Sequence, residues 1–233
     1  DIKLSSSVIV NSEVVIKADK NQDQVQSTQT SAISIPVDKI RTIPTIGGET
    51  DIIKVVQLMP GIKRGGEGQN QMFVRGGSGD DNLILLDEAV VYNVSHLFGF
   101  FSVFNNDALK DITMYKGGFP AQYGGRLSSV MDIRMKDGND NKFHAVGGIG
   151  LLSSHLTVEG PIVKNKSSFL ISARRSYIDK VFKLAYGGEN VLPYYFYDAN
   201  LKLNYNINAK NRVFFSSYIG DDVLATKTGS DSS

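Results

Sequence analysis

The stretch from Asn105 to Gly138, NNDALKDITMYKGGFPAQYGGRLSSVMDIRMKDG, decides the reading of the fold. Asn106 or Asp107 is placed to cap a single helical turn. Asp111 to Tyr115 and Ser128 to Met135 read as strands. Between them lies a corner rich in glycine (Gly117, Gly118, Gly124 and Gly125), where the chain can turn sharply at no steric cost.

Toward the N-terminus the signals are shorter. Asp19 to Ser31 is built from Gln, Ser, Thr, Asn, Asp and Lys around one apolar residue, Val25. Such a segment buries too little to offset the entropy of ordering and reads as a flexible linker. Val37 to Thr42 suggests a helical turn after Pro36. Thr50 is a candidate N-cap with Asp51 in the first turn. The helix it opens would run through DIIKVVQLM, burying Ile52, Ile53, Val55, Val56 and Met59, until Pro60-Gly61 ends it. Gly61 to Gly68 reads as a loop and Gln71 to Arg75 as a strand. Leu83 to Asp87 and Val90 to Tyr92 form a hairpin with Asp87-Glu88 at its corner. Asn93 to Phe104 is a loop containing LFGFFSVF.

Beyond Lys136 the pattern changes. Tyr197, Ala199, Leu201, Leu203, Tyr205 and Ile207 fall on one face of a strand, and Asp198, Asn200, Lys202, Asn204 and Asn206 on the other. Phe169, Ile171 and Ala173 repeat this period of two more weakly, as do Val213, Phe215 and Ile219. The connections near Val163–Ser167 and Asn208–Asn211 are short and polar, while Ser176 to Pro193 is long. Alternating short and long connections suit a membrane barrel with short turns on one side and long loops on the other. About five strands are expected, two of them in Lys142–Pro161 with a break near Leu151–Ser153. Tyr194, Tyr195 and Tyr197 suit an interfacial aromatic girdle. Five strands cannot close a membrane barrel, which needs about eight. An open edge in lipid leaves backbone groups unpaired. The chain is therefore expected to be a fragment, or to continue beyond Ser233.

Composition excludes several classes. With 25 basic and 24 acidic residues, no bulk charge favours nucleic acid. The absence of cysteine removes disulfides, thiolate metal sites and a cysteine nucleophile. No apolar run reaches the ~18–20 residues of a membrane-spanning helix. The start, DIKLSSSVIV, lacks the basic and apolar regions of a signal peptide. Gly61 to Gly79 is glycine-rich but carries no phosphate-binding motif. Asp80, Asp81, Asn82 and Asp87 do not have the spacing of a calcium loop. His96, His144 and His155 share no metal-ligand spacing. Ser153 and Ser154 beside His155 lack an elbow motif and an acid. No cofactor, metal site or catalytic residue is expected, and the chain does not read as an enzyme.

Several motifs occur together and in order: SEVVIKA (12–18), DIIKVVQLMPGI (51–62), FVRGG (73–77), NLILLDEAVVYN (82–93), SHLFGFFSVFN (95–105), YKGGFPAQYGGRLSSVMDI (115–133), LTVEGPI (156–162), RRSYID (174–179), YYFYDANLKLNY (194–205) and SYIGDD (217–222). In this order and spacing they resemble the plug domain and first barrel strands of TonB-dependent outer-membrane receptors, most closely the Bacteroidetes branch. The resemblance covers about residues 8–222.

The resemblance implies an α+β plug domain, a small mixed sheet with short helices, followed by antiparallel strands of an incomplete transmembrane β-barrel. It divides the chain into the end of a preceding domain and a Ton box (1–18), a flexible linker (19–31), the plug (32–138) and about five barrel strands (139–233). The plug would sit inside a barrel of ~22 strands in the Gram-negative outer membrane, facing the periplasm. TonB, energised by the ExbB/ExbD complex, would pull on the Ton box at Glu13, Val14, Val15, Ile16 and Lys17. That segment is β-prone and suits addition to a partner's sheet edge, although an ordinary edge strand has the same character. The cargo would be a scarce, bulky solute: a siderophore or other metal chelate, a cobalamin or a glycan. A surface lipoprotein is a further candidate partner, alongside outer-membrane lipid.

By position in the family motifs, Arg75 and Lys116 are the candidate plug–barrel latch. Lys116 stands where many relatives carry arginine, which loses the two-pronged geometry. The family's LLDG corner appears as Leu85-Leu86-Asp87-Glu88, which puts a positive-φ turn in doubt. His96, Phe98, Phe100 and Phe101 form a candidate substrate-facing loop, although phenylalanines in such a run more commonly fill a core. Two alternatives stay open: a TonB-linked sensor at the outer membrane, and a soluble plug-like binding module.

Overall fold

The computed structural model describes residues 32–40, 50–66, 70–186 and 194–224. The Ton box and linker expected at 13–17 and 19–31 lie outside them.

Two five-stranded sheets organise the chain. The first is mixed. Strands β1 (Ala32–Pro36), β4 (Asn82–Leu86), β5 (Ala89–Val90), β8 (Leu109–Tyr115) and β9 (Ser129–Met135) take the order β1-β8-β9-β4-β5. The β4–β9 pair is parallel and the others are antiparallel. Helices α1 (Val37–Ile40) and α2 (Ile52–Val56) pack on this sheet. Ile40, Ile52, Ile53, Val56, Ile112, Met114, Met131 and Ile133 are fully buried there. Two short ribbons complete the unit: β2 (Ile62–Arg64) with β3 (Met72–Val74), and β6 (Ser95–His96) with β7 (Phe101–Ser102).

The second sheet is an antiparallel meander of β10 (His144–Ile149), β11 (Ser153–Val163), β12 (Ser167–Ser176), β13 (Tyr194–Asn208) and β14 (Asn211–Leu224). The connections after β11 and β13 are short and the one after β12 is long, as expected, while the break between β10 and β11 at 150–152 is short as well. Among the described residues the sheet does not close.

The alternation along β13 is realised in an inverted sense. Asp198, Asn200, Lys202 and Asn204 are buried against the first unit. Their apolar neighbours Leu203 and Ile207, like Ile171 on β12 and Phe215 and Ile219 on β14, face outward and are exposed. Two cation–aromatic pairs sit on this outer face. The Arg175 guanidinium lies 5.0 Å from the Tyr195 ring and the Lys166 ammonium 5.1 Å from Tyr205.

Four local expectations are corrected. The cap of α2 is Asp51, not Thr50: its Oδ1 accepts from the Ile53 amide at 2.8 Å and the Lys54 amide at 3.4 Å. The turn before β8 is set by Asn105, whose Oδ1 accepts from the Asp107 amide at 3.1 Å. Residues 62–64, read as loop, form β2 because Ile62 finds Val74 across the ribbon. The long connection after β12 contains a helix, α3 (Ile178–Tyr186).

The crossing between the two sheets needs glycine. Gly138 has φ of +78°, and a Cβ there would come 2.4 Å from the Phe169 carbonyl oxygen.

Candidate functional site

The polar rank of β13 and its neighbours makes a continuous seam with the first unit. At the end of the long connection, the β6–β7 ribbon docks on it. His96 is buried and stacks flat on Phe196, with centroids 4.3 Å apart and planes 6° apart. Its Nδ1 lies 2.7 Å from Asp222 Oδ1. Its Nε2 is 3.4 Å from Asp198 Oδ2, an electrostatic contact rather than a hydrogen bond. Arg174 donates to Asp198 through Nε (2.8 Å) and Nη2 (2.6 Å), and Nη2 also donates to the Ser102 carbonyl at 2.6 Å. Tyr194 donates to Asp222 and accepts from the Leu97 amide, both at 2.6 Å. Arg174 and Asp198 are almost wholly shielded, so each depends on the other for charge balance.

The middle of the seam is uncharged except at one point. Asn105 Nδ2 donates to Ser172 Oγ at 2.7 Å, and Ser172 also meets Thr157 at 2.7 Å. His155 Nε2 lies 3.1 Å from Asp107 Oδ2.

At the short-turn end, the β4–β5 corner inserts Asp87 into the wall. Its carboxylate accepts from the Met135 amide (3.0 Å), Ser216 Oγ (2.9 Å) and Lys202 Nζ (3.0 Å). Lys202 also reaches Asp137 Oδ1 at 3.2 Å, and Arg212 meets Asp137 Oδ2 at 2.6 Å. Burial pushes the Asp137 carboxyl up, but Lys202 and Arg212 outweigh it and hold the group below the usual carboxylate range. The Glu88 position does take positive φ (73°), as Asp87 does (47°), despite the missing glycine.

The sequence-expected residues are distributed unevenly along this seam. Of the aromatic loop, His96 is buried on the wall and Phe101 packs against Phe196, with centroids 5.5 Å apart. Phe98 and Phe100 are 81% and 52% exposed. Lys116 donates to the Pro60 carbonyl at 2.8 Å. Arg75 is exposed, with Nη1 so close to Gly117 that a Cβ there would lie 3.1 Å away. Of the charged groups that join the two sheets, Asp87, Asp198 and Lys202 were named from the sequence but not as a junction, and Asp137, Arg174, Arg212 and Asp222 were not singled out. The polar rank of β13 was the available signal. Its partners lie far away in sequence, 115 residues in the case of Asp87 and Lys202. Among the described residues, no cluster of three or more His, Asp or Glu could hold a metal ion.

A mixed sheet with short helices, docked on the polar face of an antiparallel wall whose outer face is apolar, matches a known pairing. The family model "TonB-dependent Receptor Plug Domain" covers residues 15–129. The chain carries the plug of a TonB-dependent receptor. The solved siderophore receptor PirA from Acinetobacter baumannii superposes with a TM-score of 0.61 at 17% identity, over 88% of this chain and 33% of that one. The ferric enterobactin receptor PfeA from Pseudomonas aeruginosa, solved as an R480A mutant with enterobactin, gives 0.57 at 15%, over 83% and 33%. The FrpB iron transporter from Neisseria meningitidis (F3-3 variant) gives 0.54 at 18%, over 81% and 31%. The chain thus spans about a third of the length of these receptors. Comparison with curated protein sequences returns no significant match. In these terms the mixed sheet is the plug and the meander is the first part of the barrel wall.

Proposed function

We propose that this chain is the gate and first wall strands of an outer-membrane receptor that imports a scarce, bulky solute with energy delivered by TonB. The observation that carries the reading is the inverted alternation of the wall. Its polar side chains bind the plug, and its apolar side chains face away, as a lipid-facing strand requires. A soluble sandwich would put the apolar rank inside.

In this reading the long β12–β13 connection lies on the external side and the short turns face the periplasm. The Ton box at Glu13–Lys17 is the segment TonB binds, by addition to a sheet edge of its own. Phe98 and Phe100 line the external mouth, where exposed aromatic rings suit contact with a bulky solute. Arg75 and Lys116 meet acidic groups of barrel strands beyond this chain. The solute belongs among metal chelates, cobalamins and glycans.

The test uses the complete receptor in a Gram-negative host. Val15→Pro prevents strand addition at the Ton box. It should abolish TonB-dependent growth on a panel of ferric siderophores, cobalamin and glycans, while the receptor still reaches the outer membrane as a heat-modifiable band. Growth equal to the unmodified receptor would overturn the reading.

A further inference from the structure

Next to the β4–β5 hairpin the plug holds a cavity of about 490 Å3, within the usual range of a small-molecule site. Its wall includes Asn70, Asp80, Tyr92, Asn93, Phe98 and Arg126. The frame around it is fixed by paired amides. Asn82 Nδ2 donates to the Met72 carbonyl at 2.6 Å and the Gly79 carbonyl at 2.9 Å, and its Oδ1 accepts from Ser129 Oγ at 2.6 Å. Gln57 Nε2 donates to the Gln71 carbonyl at 3.1 Å, and Asn93 Oδ1 accepts from the Ser95 amide at 3.2 Å. Asn70 is the exception. It is only 4% exposed, yet neither its Oδ1 nor its Nδ2 has a hydrogen-bond partner among the described residues. An unpaired buried carboxamide costs stability, so its presence at a cavity wall points to a partner that arrives from outside.

Two aromatic rings stand at the same cavity. Tyr92 and Phe98 are 85% and 81% exposed. Phe98 is held there against its backbone preference, at a φ of 54°, while the Leu97 amide before it donates to the Tyr194 hydroxyl at 2.6 Å. Strain of this kind clusters where a side chain is set in advance for a ligand.

The chemistry of the lining narrows the ligand. Among the described residues it carries one acid, Asp80, and one base, Arg126. An anionic chelate calls for an excess of cations and a cationic ligand for an excess of acids, so a neutral ligand fits. A carboxamide donates and accepts at once, as a hydroxyl does. A ring with hydroxyls at its edge and C–H bonds on its face matches both halves of the cavity, the amide with its edge and the aromatic rings with its face.

We propose that this cavity is a saccharide subsite, in which Asn70 bonds ring hydroxyls and Tyr92 and Phe98 cover the C–H face. The proposal rests on the import reading and deepens it: of the solute classes open to the receptor, it selects the glycan.

The complete receptor, purified in a detergent without a sugar headgroup, is titrated calorimetrically with maltohexaose, cellohexaose, xylohexaose and mannohexaose. A ferric tris-catecholate and cyanocobalamin serve as comparators. At least one oligosaccharide should bind saturably. Asn70→Leu should weaken that binding about ten- to a hundredfold, because a sugar hydroxyl is left unpaired in the cavity. The same variant should leave the urea midpoint of heat-modifiable migration unchanged or raise it, since the empty cavity gives Asn70 no partner to lose. A purely structural role would lower it. Tyr92→Ala should weaken binding about tenfold and Tyr92→Phe should restore it. If Asn70→Leu does not assemble, the two Tyr92 variants, made on an exposed side chain, decide. A receptor that binds none of the oligosaccharides overturns the proposal, whether it takes the ferric complex, the cobalamin or neither. Oligosaccharide binding that Asn70→Leu and Tyr92→Ala leave unchanged overturns it as well. Asn70-dependent binding without TonB-dependent growth on the same oligosaccharide would count against the import reading alone.

Discussion

Strand β9 is buried in the core of the plug and β13 on the side that meets the plug, yet their main buried ranks come from opposite halves of the amino-acid alphabet. In β9 the residues of the plug core are Met131, Ile133 and Met135, packed with α2 and β8. In β13 the buried residues include Asp198, Asn200, Lys202 and Asn204. The plug sheet follows the usual rule for a protein in water. The wall reverses it, because its apolar rank is turned outward and its inner rank meets another folded unit. A polar seam of this kind holds through paired hydrogen bonds and charges, which can be exchanged for other partners. An apolar core offers no such exchange.

Breaking one charge of the seam should have the largest effect. Arg174→Met leaves Asp198 buried with its main partner gone and should destabilise the complete receptor by ~3–5 kcal/mol, read as a fall in the urea midpoint of heat-modifiable migration. Adding Asp198→Leu should recover much of that loss. If the double variant is no better than the single one, the seam is not held by this pair and the contrast with β9 weakens.

The outer face gives the next largest effect. Ile171 pairs with Leu201 across β12 and β13 and is 48% exposed. Ile171→Arg should reduce folding stability in lipid vesicles by ~2–4 kcal/mol if this face meets hydrocarbon. A change within ~0.5 kcal/mol, the usual range for a surface substitution, would mean that the face meets water and would remove the inversion altogether.

The smallest effect belongs to the plug. Asp51 caps α2, and its Oδ2 accepts from the Ser102 amide at 2.8 Å. Burial pushes its carboxyl above the usual value of 3.8, against the pull of Lys54 and the amides of Ser102 and Ile53. Asp51→Ala should cost ~1 kcal/mol through the lost cap, measured as faster hydrogen exchange over 52–57. The sign of the pH effect follows from the raised value. The folded state disfavours the ionised form, so this contribution is greatest below pH 3.8 and is lost as pH rises through the folded value. Asp51→Asn should keep most of the cap and remove that dependence. An exchange rate in Asp51→Asn that keeps the native pH profile would assign the dependence to another group.

Much of this architecture was legible because it rests on short-range regularities. The period of two across 197–207 survives in β13, and the Asp87-Glu88 corner falls between β4 and β5. What the period could not reveal was which plug groups cover the polar face, since these lie 67 to 115 residues earlier in the chain. The missing glycine at Glu88 raised doubt about the turn. The turn forms regardless, because Asp87 is held by partners that no local pattern predicts. The three-residue strand β2 was hidden in a glycine-rich stretch, where its identity comes from pairing with β3. Helix α3 was hidden by the length of the connection that carries it. The aromatic run at 98–104 divides for the same reason: Phe104 enters the plug core while Phe98 stays exposed, and both have the same side chain.

The two cation–aromatic pairs on the outer face also act as a ruler. Tyr195 and Tyr205 are ten residues apart on one strand, about 33 Å along its axis. At a tilt of ~40° this spans ~25 Å along the barrel axis, the height of the apolar band in outer-membrane barrels. Each ring is topped by a cation, Arg175 at one end and Lys166 at the other. Strand β13 therefore records the thickness of the bilayer it would fit, and that thickness is on the thin side of biological membranes.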